Sequence, residues 1–176
     1  DASGSETPLE ITIGQDLTIG ADFEPDENDT DQDGLTNFEE LVIHGSDPTL
    51  ADSDGDGFSD SVEVMEGTDP GSEVTFPVRQ LTVQESSNGT VSGAGFYPLA
   101  DNATLEAVPS PGFVFAGWIG DVSGVINPLV IAMSADKIAG ALFVEDQRDS
   151  DNDGLSNHEE INVYGTDPAN PDSDGD

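Results

Sequence analysis

Asp29-Thr-Asp31-Gln-Asp33-Gly34-Leu35-Thr-Asn37-Phe-Glu-Glu40 places side-chain oxygens at positions 1, 3, 5, 9 and 12 of a twelve-residue stretch, with glycine at position 6. Alternate residues of a tightly turning loop point inward, so the first three carboxylates converge on one centre, and glycine permits the sharp turn that follows. The carbonyl of Leu35 adds an oxygen, Asn37 adds another directly or through water, and Glu40 closes the site with both carboxylate oxygens. The same pattern fills Asp52-Ser-Asp54-Gly-Asp56-Gly57-Phe58-Ser-Asp60-Ser-Val-Glu63 and Asp149-Ser-Asp151-Asn-Asp153-Gly154-Leu155-Ser-Asn157-His-Glu-Glu160. A fourth loop opens at Asp172, Asp174 and Asp176. Hard oxygen donors at this spacing select Ca²⁺, and three complete loops imply at least three ions.

Charge points the same way. The chain of 176 residues carries 38 Asp and Glu against the three bases Arg79, Lys137 and Arg148, a formal net charge of −35. Such a surface repels phosphate, which excludes nucleic acid and anionic membrane surfaces as partners. No apolar run approaches the roughly eighteen residues of a membrane span. With no cysteine and only two histidines, His44 and His158, neither disulfides nor a zinc cluster can stabilise the chain. Without a cation the acidic stretches would repel themselves into a solvated linker. Apolar residues at helical spacing after the loops (Phe38, Leu41 and Val42; Val62, Val64 and Met65) argue for short helices there, the second capped by Ser59 or Asp60.

A gapless shift of 120 residues aligns 1–56 with 121–176 at 27 identical positions of 56, so the chain reads as a tandem repeat of period 120. Residues 22–69 carry 17 acidic side chains and residues 145–176 carry 11, whereas 70–144 carry six. The expected organisation is the second half of a β domain at 1–24, a calcium cassette at 25–72, a β domain at 73–145 and a second, truncated cassette at 146–176. The sequence opens at Asp1 without methionine, as a processed form or a fragment would.

Within the near-neutral segment, Gln80–Gln84, Gly89–Ser92, Ala103–Val108, Phe113–Trp118, Leu129–Met133 and Ile138–Val144 read as short strands between turn residues, and Asn88-Gly89 is a hairpin signal. Phe113, Phe115 and Trp118 invite comparison with a sugar-binding platform, but their placement on one strand fits core packing.

Two resemblances follow. D-x-D-x-D-G-L-[ST]-N-x-E-E at 29–40, followed by Gly45-Ser-Asp47-Pro48 and then Asp52-Ser-Asp-Gly-Asp-Gly57, resembles bacterial thrombospondin type 3 repeats over residues 26–70 and 146–176. That resemblance implies calcium-wrapped, EF-hand-like loop and short-helix cassettes serving as rigid spacers in secreted or surface proteins. In the G-[ST]-D-P turns, Asp47, Asp69 and Asp167 would either add ligands or only form the turn. Asn88-Gly-Thr-Val-Ser-Gly, Gly112-Phe-x-Phe-x-Gly-Trp118, Asn127-Pro-Leu and Asp136-Lys137 leading to Ala141-x-Phe143 resemble the divergent internalin-type B-repeat of bacterial surface proteins. A small β-grasp-like fold is implied.

No nucleophile paired with a base, phosphate cradle or open metal position is visible, so the chain reads as no enzyme. The expected function is an extracellular or bacterial cell-surface structural module, a stalk or filament of alternating β domain and cassette. The alternatives are an adhesive module for a glycan or protein ligand, and a non-catalytic region of a large secreted hydrolase. Strands expected at Leu9–Ile13 and Leu17–Phe23 would need pairing, which a neighbouring copy could supply by strand complementation through residues 9–23.

Overall fold

The computed structural model describes residues 20–173 together with residues 14, 16, 18 and 175. Asp174, Asp176, the strand expected at Leu9–Ile13 and the first part of Leu17–Phe23 lie outside the described residues or at their margin. Residues 20–25 are exposed and form no strand, and Phe23 is 91% exposed.

Seven strands build the middle of the chain: β1 (Val78–Val83), β2 (Gly89–Ser92), β3 (Gly95–Pro98), β4 (Asn102–Pro109), β5 (Phe113–Gly120), β6 (Leu129–Ala132) and β7 (Lys137–Glu145). They form two sheets, ordered β3-β1-β7-β5 and β2-β4-β6. In the first, β1 and β7 are parallel central neighbours, with Leu81 opposite Lys137 and Val83 opposite Ala139. Period-two alternation decides which residues face inward. Along β4 it buries Ala103, Leu105 and Ala107 and leaves Thr104 and Glu106 outside. These residues meet Leu81, Trp118, Ala139, Ala141 and Phe143 from the first sheet, with Met133 closing the core just past β6.

All six strands expected within the near-neutral segment are present, and a seventh, β3, is added. The expected β-grasp-like fold takes the form of a two-sheet sandwich: the layer over the mixed sheet is β2-β4-β6, where a grasp would carry a helix. Asn88-Gly89 makes a turn but no hairpin, because β1 and β2 enter different sheets. Glycine is needed there for close approach, since a Cβ on Gly89 would stand 2.6 Å from the Phe143 ring. The aromatic strand belongs to the core. Phe115 packs edge-on against Trp118 and Phe143 at centroid distances of 5.1 and 6.3 Å, and the Trp118 indole N–H donates to the Ile126 carbonyl at 2.8 Å.

The acidic cassettes are mostly loop. The first has a wide helical turn, Glu39–His44, closed by a 2.6 Å bond from Gly45 N–H to the Glu40 carbonyl, and then helix α1 (Asp60–Glu66). The second has α2 (Asn157–Glu159) running into a wide turn, Glu160–Tyr164. Among the described residues no helix runs directly into a loop, so these are loop-then-helix units and not helix-loop-helix pairs.

Both cassettes touch the sandwich. Arg79 at the start of β1 pairs with Glu66 of α1 at 2.6 Å. On the other side, Gly112 between β4 and β5 accepts hydrogen bonds on its carbonyl from Asp146 N–H at 2.9 Å and faces His158 Nδ1 at 3.0 Å. The His158 ring also packs edge-on against Phe113 at 4.8 Å, and Asn162 Nδ2 donates to the Pro111 carbonyl.

Leu105 is fully buried, so Leu105→Ala should destabilise the sandwich by about 2–5 kcal/mol, read in urea from the fluorescence of the single tryptophan. A shift under about 1 kcal/mol would mean that the two sheets do not share this core.

Candidate metal centres

Each loop winds around its own first aspartate. Asp29 Oδ1 accepts from Gln32 N–H at 2.7 Å, and its Oδ2 from Gly34 N–H at 3.2 Å. Asp52 receives Gly55 and Gly57 in the same way, and Asp149 receives Asn152 and Gly154. The third and fifth residues each accept from the amide two positions on, as in Asp33 Oδ1 with Leu35 N–H at 2.8 Å and Asp56 Oδ1 with Phe58 N–H at 2.9 Å. Position 6 is left-handed in all three loops, with φ of 110° at Gly34, 101° at Gly57 and 102° at Gly154, where a side chain would be strained. Position 4 is left-handed too, at Gln32, Gly55 and Asn152.

This winding gathers the expected ligands. Asp29, Asp31 and Asp33 bring one oxygen each within 4.8 Å of one another, as do Asp52, Asp54 and Asp56, and Asp149, Asp151 and Asp153. Leu35, Phe58 and Leu155 follow the left-handed glycines and are half-buried. Glu40, Glu63 and Glu160 are fully buried. Asp172 repeats the opening move by accepting from Gly175 N–H at 2.9 Å.

The decisive feature is what these carboxylates lack. Both oxygens of Glu40 and Glu160, one of Glu63, and Oδ2 of Asp31, Asp54, Asp56 and Asp151 are buried without a hydrogen-bond partner. A buried anionic oxygen with no donor is among the costliest arrangements a fold can hold. Burial, followed by the charges of Asp31, Asp33 and Asp60, pushes Glu40 up to about 7. Glu63 is pushed up to about 7 mainly by burial, against the opposing bond from Thr68. Glu160 rises by burial and by Asp151, Asp153 and Asp149. A hard dication takes these oxygens without needing a donor, and the residues fit Ca²⁺.

The residues at position 9, expected to reach the ion directly or through water, make hydrogen bonds inside and just before their loops. Asn37 Oδ1 accepts from Thr30 N–H and hydroxyl, and its Nδ2 donates to Asp26 at 2.8 Å. Asn157 Oδ1 accepts from Ser150 N–H, and its Nδ2 donates to Asp146 at 2.9 Å. Asp60, fully buried, accepts from Ser53 N–H and hydroxyl at 2.8 and 2.7 Å. All three brace the second residue of their loop.

Asp26 and Asp146, three residues before their loops, were not among the sequence-derived candidates. The Arg148 guanidinium grips Asp146 at 2.7 and 2.8 Å and, against burial, holds its carboxyl well below the usual range. Their signal was an aspartate three positions before a loop whose ninth residue is Asn. The second loop has Thr49 there, and Asp60 at position 9. In the G-[ST]-D-P turns, Asp47, Asp69 and Asp167 each accept on Oδ1 from the amide two residues on, which makes them turn formers.

Because Glu40 and Glu63 titrate higher when folded than their ordinary value of 4.5, the metal-free folded chain binds more protons than the unfolded one. Its stability should therefore fall as pH rises through the window from about 4.5 to 7. In chelator, helical circular dichroism should be stronger at pH 5 than at pH 8, and saturating Ca²⁺ should remove that dependence above pH 7. Equal signals at both pH values in chelator would contradict the burial of these groups.

Residues 29–51, 52–70 and 149–171 match the bacterial TSP3 repeat, and residues 79–147 match the divergent InlB B-repeat domain. No curated protein and no solved structure matches the chain. TSP3 repeats are calcium-binding modules of extracellular type, which agrees with three aspartate triads able to hold ions. Among the described residues no helix is long and apolar enough to cross a membrane. The chain therefore carries bacterial TSP3 repeats at residues 29–70 and 149–171, on either side of a divergent InlB B-repeat domain at residues 79–147.

Proposed function

We propose that this chain is a calcium-stiffened spacer, a non-catalytic section of a bacterial extracellular stalk or filament in which cassettes join successive β domains. The observation that carries the reading is the set of buried, partnerless oxygens on Glu40, Glu63 and Glu160 beside the aspartate triads. Residues 29–40, 52–63 and 149–160 hold one ion each. The ion supplies positive charge; the chain supplies converging oxygens, glycine turns and the short helices that deliver each glutamate.

A spacer also needs fixed joints. Loop 149–160 begins four residues after β7 ends, and Asp146 ties the two together by accepting from Asn157 on its carboxylate and from His158 N–H on its carbonyl. Metal bound in that loop thereby orders the same residues that seat His158 and Asn162 on the Pro111-Gly112 turn. The 120-residue register of the sequence supports repetition of this unit, with residues 1–24 corresponding to 121–144. In that register residues 9–23 supply the equivalents of β6 and β7, and pairing with another β domain, in the same longer chain or by complementation between copies, would shelter them.

Removing Ca²⁺ with a chelator at low ionic strength should increase the hydrodynamic radius and abolish the helical signal of the cassettes, and adding Ca²⁺ should restore both. At a hundred times the dissociation constant each filled site stabilises its cassette by about 2.7 kcal/mol. An unchanged radius and spectrum would refute the reading.

The joint has its own test. His158→Ala with Asn162→Ala should leave Ca²⁺ affinity at residues 149–160 within about twofold, yet make the orientation of that loop differ from that of residues 79–147 in residual dipolar couplings. Coincident alignment tensors in the double variant would show that these contacts do not set the joint.

A further inference from the structure

Asp33 is the fifth-position carboxylate of the first loop, but it also reaches outside that loop. Its Oδ2 accepts from the Ser61 N–H at 2.8 Å, and its backbone carbonyl accepts from the Ser61 hydroxyl at 2.7 Å, across 28 residues of sequence. Ser61 lies directly over the first loop's turn, since a Cβ placed on Gly34 would be 4.0 Å from Ser61 Cβ. The same serine sits in the first turn of α1, whose Glu63 closes the second loop.

We propose that Asp33 and Ser61 form a latch that couples the two metal sites of the first cassette, so that filling residues 29–40 favours filling residues 52–63. The inference rests on the calcium reading above. Helix α1 has seven residues, too few to persist alone, and its own cap from Ser59 is long at 3.4 Å. Its first-turn amides need acceptors, and the negative charge of Asp33 at that end suits the helix dipole. Holding Asp33 in a metal shell fixes that acceptor, which steadies the first turn and presents Glu63. Ser61 is thus a positioning residue for the second site.

A competing effect has the opposite sign. An empty first loop is an anionic neighbour that attracts a cation to the second, and filling it removes that attraction. Salt weakens this field only in part, because carboxylates of the two loops are buried close together, as the effect of Asp60 on Glu40 shows, and the two short hydrogen bonds have to outweigh what remains. Positive coupling should therefore be read at 0.15 M salt, where the field is weaker than in dilute buffer. Residues 149–160 offer the internal comparison: among the described residues, Asp153 accepts no hydrogen bond from outside its own loop.

The test is a titration of the full chain with calcium chloride at that salt, following the amide resonances of Gly34, Gly57 and Gly154 as separate reporters. Disabling the first loop by Asp29→Asn with Asp31→Asn, which leaves Asp33 in place, should weaken binding at Gly57 about three- to tenfold, as expected for one or two hydrogen bonds. Disabling the third loop by Asp149→Asn with Asp151→Asn should leave Gly57 unchanged. Ser61→Ala removes one of the two bonds, and in that background the effect of disabling the first loop should shrink to about threefold or less, with Gly154 and the β-domain signals at their usual positions. A Gly57 affinity indifferent to the first loop, equally sensitive to the third, or just as dependent on the first in Ser61→Ala overturns the latch. If no glycine responds to calcium, the calcium reading falls and the latch with it.

Discussion

Among the described residues nine carboxylate oxygens are shut away from water without a hydrogen-bond partner, in a chain that already carries a formal charge of −35. The neighbouring loop amides are already committed, to both oxygens of Asp29 and Asp52 and to the other oxygen of Asp31, Asp54, Asp56 and Asp151. Protons can relieve them only partly, and below neutral pH. A divalent cation at the focus of each triad would satisfy several oxygens at once, and it would also hold the following helical turn in place, because the closing glutamate belongs to that turn.

That dependence explains why the cassettes can do without a hydrophobic core. Leu41, Val42 and Ile43 are exposed, as are Met65 and Val163, so little apolar area holds these segments together. The sandwich is the opposite case, with a continuous apolar centre and few charges. Its contacts with the cassettes are few and mostly polar: the ion pair from Arg79 to Glu66, the carbonyls of Pro111 and Gly112 facing Asn162 and His158, and the His158 ring edge-on against Phe113. Each part thus keeps its own source of stability, and the joints transmit orientation more than energy.

The metal loops were the most legible part of the chain, because their side-chain spacing is imposed by the geometry of one ion and is local in sequence. The strands were legible where alternation was clear, as in Ala103-Thr-Leu-Glu-Ala107. Strand β3 was not, because Gly95-Phe-Tyr-Pro98 begins and ends in turn residues and survives as a strand only by lying on a sheet edge beside β1. The division into two sheets was hidden for a related reason: Asn88-Gly89 has the letters of a hairpin, and only the Phe143 ring above it shows that the chain is changing layers. At position 9 the bracing role was hidden because an amide oxygen suits a metal and a backbone N–H equally well. Asp26 and Asp146, outside the twelve-residue pattern, are what claim the other end of Asn37 and Asn157.

The parallel pairing of β1 with β7 bears on how such a module would carry tension. The chain enters the sandwich at Val78 and leaves it at Glu145, and the two strands that receive it and release it are neighbours running in the same direction. A pull applied through the flanking cassettes draws these strands lengthwise past each other, so their shared hydrogen bonds are loaded together in shear. An antiparallel terminal pair would place both ends on one side and peel open a bond at a time. Force entering at one end and leaving at the other would thus fall on two strands at the centre of the sheet, between β3 and β5.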